Sequence, residues 1–323
     1  MINRRAFLGF VGAVGIQMLS RQSPAQQRKV VRVGSLTLSA QPKFFTDLWL
    51  AEMRKLGYIE GENVLFDLRD GTPPRLPALT LELVHADVDL ILCVSSAPVR
   101  AAMGVTRTVP IVALDLETDP IASGFAATLA RPGGNLTGFF LDLPEFSAKQ
   151  LEILKETLPS LTRVLVLWDP SMERAPLTGL KTASRALRLR PSIREVEDES
   201  MLPSIFEEAA TKKVGAVLVM QSPTLVGYRR QIIKLAADSR VPVMGMFTNF
   251  TSEGALLSYG PNIDELYRRT AVYVDKILKG TKPGDLPIQR PEKFDFVINV
   301  RTARALGLTI PRSILARADE VIR

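Results

Sequence analysis

The acids Asp115 and Asp119 stand at the end of an apolar run, flanking Leu116-Glu117-Thr118. Two carboxylates at one strand end are chemistry in waiting. They can receive an ammonium group, serve as turn residues before Pro120, or form a glycosidase-type acid/base pair. Four further polar clusters follow apolar runs: Ser35–Gln41, Ser95-Ser96-Ala97-Pro98, Asp169–Ala175 and Gln221-Ser222-Pro223. Phe247–Thr251 makes a fifth, and Tyr259-Gly260-Pro261 reads as a turn whose Tyr faces the same space. Ser35, Ser95, Ser96, Asp115, Asp119, Asp169, Gln221, Ser222 and Tyr259 are thus the candidate ligand-binding residues. For any single Ser, capping a helix is the simpler role. As a set the turns define one crevice, because ligands of open parallel sheets sit beyond the carboxyl ends of the strands. Helix N-termini there suit an anion, so a ligand carboxylate is expected at Ser95–Ala97 and any amine near Asp115.

Other chemistry is short of reagents. One His (His85) and one Cys (Cys93) among 323 residues leave no multi-Cys metal site and little His-based catalysis. His85 reads as an exposed helix end and Cys93 as a core residue. No G-x-G-x-x-G or G-x-x-x-x-G-K-[ST] follows any strand, and no G-x-S-x-G has a usable His. No cofactor or metal is expected. The net charge of +7 falls to +4 when residues 1–25, with three arginines and no acid, are set aside. The remaining bases lie among acids, as in Arg194–Glu199, so nucleic-acid binding is not expected.

The elements that must position these residues form two similar series. Asn3-Arg4-Arg5-Ala6-Phe7-Leu8, an uncharged stretch to Leu19, and Ser23-Pro24-Ala25 read as a cleaved export signal over 1–25, twin-arginine or Sec in type. Then strands over 30–36, 63–68, 88–94 and 109–114 alternate with helices. After Ala130–Leu143 the series repeats, with strands over 162–168, 193–196, 215–220 and 241–247. D-L-I-L-C-V-S-S-A-P and G-A-V-L-V-M-Q-S-P match in order and turn chemistry, which is the sign of two related βαβ units. Helices are expected over 121–129, 225–239, 264–279 and 302–308, and the tail 311–322 reads as helical. The fold class is α/β, two Rossmann-like lobes with parallel sheets. Lobe 1 takes 26–141 and lobe 2 takes 142–259, each with part of 260–323. A multi-strand hinge joins them, with crossings near 130–143, 252–259 and 282–291 and flexing around 141–144.

Several phrases resemble one family. They are Leu56–Val64 (LGYIEGENV), Leu129–Gly138 (LARPGGNLTG), Lys293–Asn299 (KFDFVIN), Ala305–Pro311 (ALGLTIP) and Arg317–Ile322 (RADEVI). In this order they are similar to the substrate-binding proteins of ABC transporters of the tryptophan/tyrosine type. That resemblance implies a type I periplasmic-binding-protein fold and no catalysis. It implies an exported, periplasmic, monomeric protein that carries a small molecule, such as an amino acid or another carboxylate, to a membrane permease and ATPase. Its crevice turns fall at Ser35, Ser95–Ser96, Asp115, Asp169 and Gln221–Ser222. Ser95-Ser96-Ala97-Pro98 stands where relatives often have Gly-Thr-Pro-Ala, and Trp168–Met172 departs from Trp-Asn-Pro-x-Asn. An exported hydrolase using Asp115 and Asp119, and a sensory ligand-binding module, are the rival readings.

Overall fold

The computed structural model describes residues 30–38, 43–141, 143–172 and 174–323. The export signal, Ser39–Pro42 and Asp142 lie outside the described residues. Among the described residues no helix is long and apolar enough to cross a membrane.

Strands β1 (Val31–Leu38), β2 (Val64–Gly71), β3 (Leu90–Val94), β4 (Ile111–Asp115) and β5 (Leu136–Phe140) form a parallel sheet in the order β2-β1-β3-β4-β5. Strands β6 (Arg163–Trp168), β7 (Arg190–Glu195), β8 (Ala216–Val219), β9 (Val243–Gly245) and β10 (Leu257–Pro261) form a second, in the equivalent order β7-β6-β8-β9-β10. The same strand order in both sheets confirms the internal repeat read from the turns. The second sheet is extended by β11 (Phe294–Asn299), antiparallel to β10, and by β12 (Glu320–Ile322), parallel to β11.

The near-continuous apolar strands follow from burial on both faces. Leu165 and Leu167 of β6 point into one core while Val164, Val166 and Trp168 point into another. In the first sheet Leu90 and Leu92 of β3 face α1 (Lys43–Lys55) and α10 (Ile263–Leu278), whereas Ile91 and Cys93 face α2 (Leu76–His85) and α3 (Ser96–Val105). Burial raises the Cys93 thiol far above its ordinary value, so it is an inert core group. Around the second sheet pack α4 (Leu143–Thr157), α5 (Ala175–Ala186), α6 (Leu202–Thr211), α7 (Pro223–Gly227), α8 (Arg229–Asp238) and α9 (Thr248–Ser252).

The chain passes between the sheets three times, after β5, after β10 and before β11. Past β10 it enters α10, whose N-cap Asn262 accepts from the Glu265 N–H at 2.8 Å. Helix α10 packs on the first sheet, and residues 286–290 then run beside β5, with Gln289 N–H donating to Gly138 O at 2.9 Å. The second crossing therefore falls at 261–263, not at 252–259, which is occupied by α9 and β10. An aromatic stack joins the crossings. Phe146 begins α4, Tyr259 sits in β10 and Phe294 opens β11, with Tyr259 5.5 Å from Phe146 and 5.8 Å from Phe294.

Other expectations give way for local reasons. No helix forms over 121–129, where Asp119 Oδ1 accepts from the N–H groups of Ile121 and Ala122 and Gly124 takes a positive φ. The expected helix 225–239 breaks at Tyr228 into α7 and α8. Phe247–Thr251 is not a loop, because α9 starts at Thr248. The tail is not helical throughout: α11 (Val300–Ala305) and the single turn α12 (Arg312–Leu315) lead to β12, which offers Val321 and Ile322 to the free edge of β11.

Candidate functional site

The cleft between the sheets is lined by turns after β3, β4, β8 and β9 and by one face of α10. Each strand stops where its apolar run stops, and each turn begins with a polar residue that can satisfy loose backbone groups. A narrow, largely apolar cavity lies there. Phe45, Leu114 and Tyr267 line it from the first sheet's side, and Pro223, Val226 and Phe247 from the second's. Phe45 lies 5.9 Å from Phe247 and 5.8 Å from Tyr267, so the aromatic wall spans both halves.

Two polar side chains enter this apolar space, one from each half. Glu117, after β4, is buried to 2% exposure. Its Oε2 accepts from Ser96 N–H at 3.1 Å and Ser96 Oγ–H at 2.6 Å. Among the described residues its Oε1 has no hydrogen-bond partner within bonding geometry, and neither has Oε1 of Gln221, after β8. Burial raises the Glu117 carboxyl to about 8; neighbouring Asp115 adds to the rise, and hydrogen bonds from Ser96 and, more weakly, from the Ser95 hydroxyl oppose it. Ser95 borders the same cavity with φ at 81°, a conformation that costs a non-glycine residue of order 1–3 kcal/mol. Its N–H donates to Leu114 O at 3.0 Å, which pins the strained turn to β4.

Asp115 is fully buried, and its oxygens are engaged by its own turn. Oδ1 accepts from Glu117 N–H at 2.9 Å and Thr118 N–H at 3.2 Å, and Oδ2 accepts from Thr118 Oγ1–H. An ammonium group would have to displace these bonds, so the amine expected at Asp115 does not find a free acceptor there. Desolvation lifts its carboxyl to about 6 against the pull of those bonds and of Arg100. Asp119 is exposed and borders a separate hollow with Ile121, Leu129 and Arg290. The two acids therefore do not flank one space, which removes the acid/base pair.

The remaining candidates separate in the same way. Asp169 and Ser222 form a cross-turn unit: Ser222 Oγ–H donates to Asp169 Oδ2 at 2.6 Å and accepts from Leu225 N–H, while Ser171 holds Asp169 Oδ1. Asp169 borders a second opening between the halves with Thr72, Thr224 and Tyr228. Ser35 is not in a turn. Strand β1 runs on to Leu38 because it pairs with both β2 and β3, leaving Ser35 opposite Leu68 and Leu92. Tyr259 is not in a turn either; its ring belongs to the aromatic stack of the crossings. Exposed His85 ends α2 as expected.

Of the expected residues, Ser95 and Gln221 border the cavity and Ser96 bonds the Glu117 that enters it, while Glu117 itself stands in the sequence only as a spacer between two aspartates. The signal was there: positions 115 and 117 lie two apart at a buried strand's end, and an Asp that folds back on its own turn leaves the next acid to face the cleft. Phe247 heads one of the clusters expected at the crevice, whereas Phe45 and Tyr267 look in the sequence like ordinary core residues of their helices.

Two α/β lobes with a largely apolar cavity at the carboxyl ends of their strands define a type I periplasmic-binding-protein fold. The chain belongs to the ABC transporter substrate binding protein family, whose model matches residues 50–322. A tyrosine-binding protein of Clostridioides difficile (strain R20291) is 22% identical over 331 residues, covering 95% of this chain and 94% of that protein. Among solved structures, a conserved domain protein of Vibrio cholerae is 26% identical with a TM-score of 0.80, covering 91% of this chain and all of that one. An ABC domain from Streptococcus pneumoniae in complex with L-Trp is 23% identical with a TM-score of 0.79, covering 90% and 99%. The protein is a binder of small ligands and not an enzyme.

Proposed function

We propose that this protein is the exported solute receptor of an ABC importer, holding one small molecule between its lobes and delivering it from the periplasm to a permease and its ATPase. The observation that carries this reading is the cavity itself: apolar and aromatic on both sides, with one unpartnered polar oxygen from each lobe. A site made of two halves is complete only when the halves meet, so binding and closure are one event. Lobe 1 comprises residues 26–141 with 262–291, and lobe 2 comprises 142–261 with 292–323. Three crossings restrict their motion to a single hinge path. The signal read over 1–25 supplies the export.

The test is a broad solute screen by thermal shift, followed by small-angle scattering of the hits. A ligand at ~100 times its Kd stabilises the fold by about 2.7 kcal/mol and reduces the radius of gyration. No hit across amino acids, amines, carboxylates and sugars, and no ligand-dependent compaction, defeats the receptor reading. Association with a neighbouring permease and ATPase in pull-down separates transport from a sensory role.

A further inference from the structure

Resting on the receptor reading, the cavity also says what it selects. Glu117 Oε1 and Gln221 Oε1 come from opposite lobes, are buried, border the same cavity and lack partners. Buried polar atoms are nearly always bonded, and once Glu117 gives up its proton the two oxygens around one apolar space call for a group rich in donors. An ammonium offers three. We propose that the ligand is an aromatic or apolar primary amine whose ammonium bridges Glu117 Oε1 and Gln221 Oε1, and that the cavity rejects the amino acid carrying the same side chain.

The rejection follows from where the charged and helix-start donors have gone; the lining keeps only neutral donors, the hydroxyl of Ser95 and the amide of Gln221 among them. An α-carboxylate beside that ammonium needs N–H or O–H groups or a cation. At the start of α3 the N–H and Oγ–H of Ser96 are already given to Glu117 Oε2. At the start of α7 Pro223 has no N–H, and Ser222 Oγ–H is given to Asp169. None of the described residues lining the cavity is Lys, Arg or His. A carboxylate beside the ammonium would meet the ionised Glu117 with only that one ammonium to offset two negative charges. Phe45, Phe247 and Tyr267 offer ring faces and edges to a flat apolar body.

The charged and titratable groups around Glu117 are few. Asp115 lies beside it, Arg100 of α3 acts on Asp115, and Tyr267 comes from α10. From α4 the neighbours are Phe146, Ser147 and Gln150, from β6 Trp168, and from α7 Pro223 and Val226. Glu117 therefore enters the empty site with its proton at pH 7 and gives it up when an ammonium takes its place.

The experiment is calorimetric titration of the full mature chain with 2-phenylethylamine, phenylalanine and 3-phenylpropionate at pH 7, in two buffers of different ionisation enthalpy. The amine binds with release of nearly one proton, phenylalanine binds at least tenfold more weakly, and the acid releases no proton. Glu117→Gln weakens the amine at least tenfold and abolishes the proton release; Gln221→Leu weakens it several-fold. Phenylalanine binding as well as the amine, an unaffected Glu117→Gln variant, or no released proton overturns the proposal. If none of the three binds but another solute compacts the protein, the amine inference fails and the receptor reading stands. If nothing compacts it, both fail.

Discussion

Glu117→Gln should stabilise the protein, and by an amount that grows with pH. The carboxyl ionises near its ordinary 4.5 in the unfolded chain and near 8 in the fold. Between those values the folded state holds a proton that the unfolded state has released, so folding stability falls as pH rises through that window and levels off outside it. At 1.36 kcal/mol per unit the cost is about 1 kcal/mol at pH 5 and about 3 kcal/mol at pH 7. Gln keeps an oxygen for Ser96 N–H and Oγ–H and replaces the bare Oε1 with a neutral N–H₂. Any pH-independent effect of the substitution shifts the whole curve, so the slope isolates the ionisation. The assay is calorimetric unfolding of both proteins from pH 5 to pH 8. At ~2 °C per kcal/mol for a chain of this size, the Tm advantage of the variant should widen by about 5 °C between pH 5 and pH 7. Parallel curves, or a gap that narrows with pH, refute the account of Glu117 as a buried carboxyl kept neutral by its surroundings.

Three further outcomes probe the frame around the site. Gly138→Ala should cost more than ~3 kcal/mol in urea unfolding, because a Cβ there would lie 2.0 Å from Ala113 O with φ at 142°; a loss under ~1 kcal/mol contradicts the close β4–β5 approach. Phe247→Leu keeps an apolar wall but removes the contacts with Phe45, so a ring-bearing ligand should bind about 3–10-fold more weakly, in line with the ~0.5–1.5 kcal/mol of an aromatic pair. Equal affinity by titration removes that ring from the site. Phe294→Ala cuts the stack at the crossings, and the radius of gyration of the unliganded protein should rise in scattering; an unchanged value with unchanged affinity frees the stack from any role in the hinge.

The fold was largely legible because its signals are repeated and local. Apolar strands ending in Ser, Asp or Gln recur in the same order twice, and both sheets obey them. What failed was whatever depended on tertiary company. β12 has too little pattern of its own to be seen as a strand, and exists because β11 presents an open edge. The segment 121–129 carries helical spacing, but Asp119 and Gly124 commit its backbone to turns. Ser35 looks like a strand end only until both neighbours of β1 are known.

The site was legible to the turn but not to the atom, and the reason is competition among acids for donors. Asp115, Glu117 and Asp119 share one five-residue stretch, and sequence alone treats them as equivalent. In the fold, Asp115 takes the N–H groups of Glu117 and Thr118, and Asp119 takes those of Ile121 and Ala122. Glu117 is left to take its donors from Ser96 across the turn, and Ser96 can fill only one of its oxygens. That division withdraws Asp115 from the cavity, points Glu117 into it, and engages the Ser96 donors at the start of α3. One acid's local hydrogen bonds thereby decide the charge that the cleft shows to a solute.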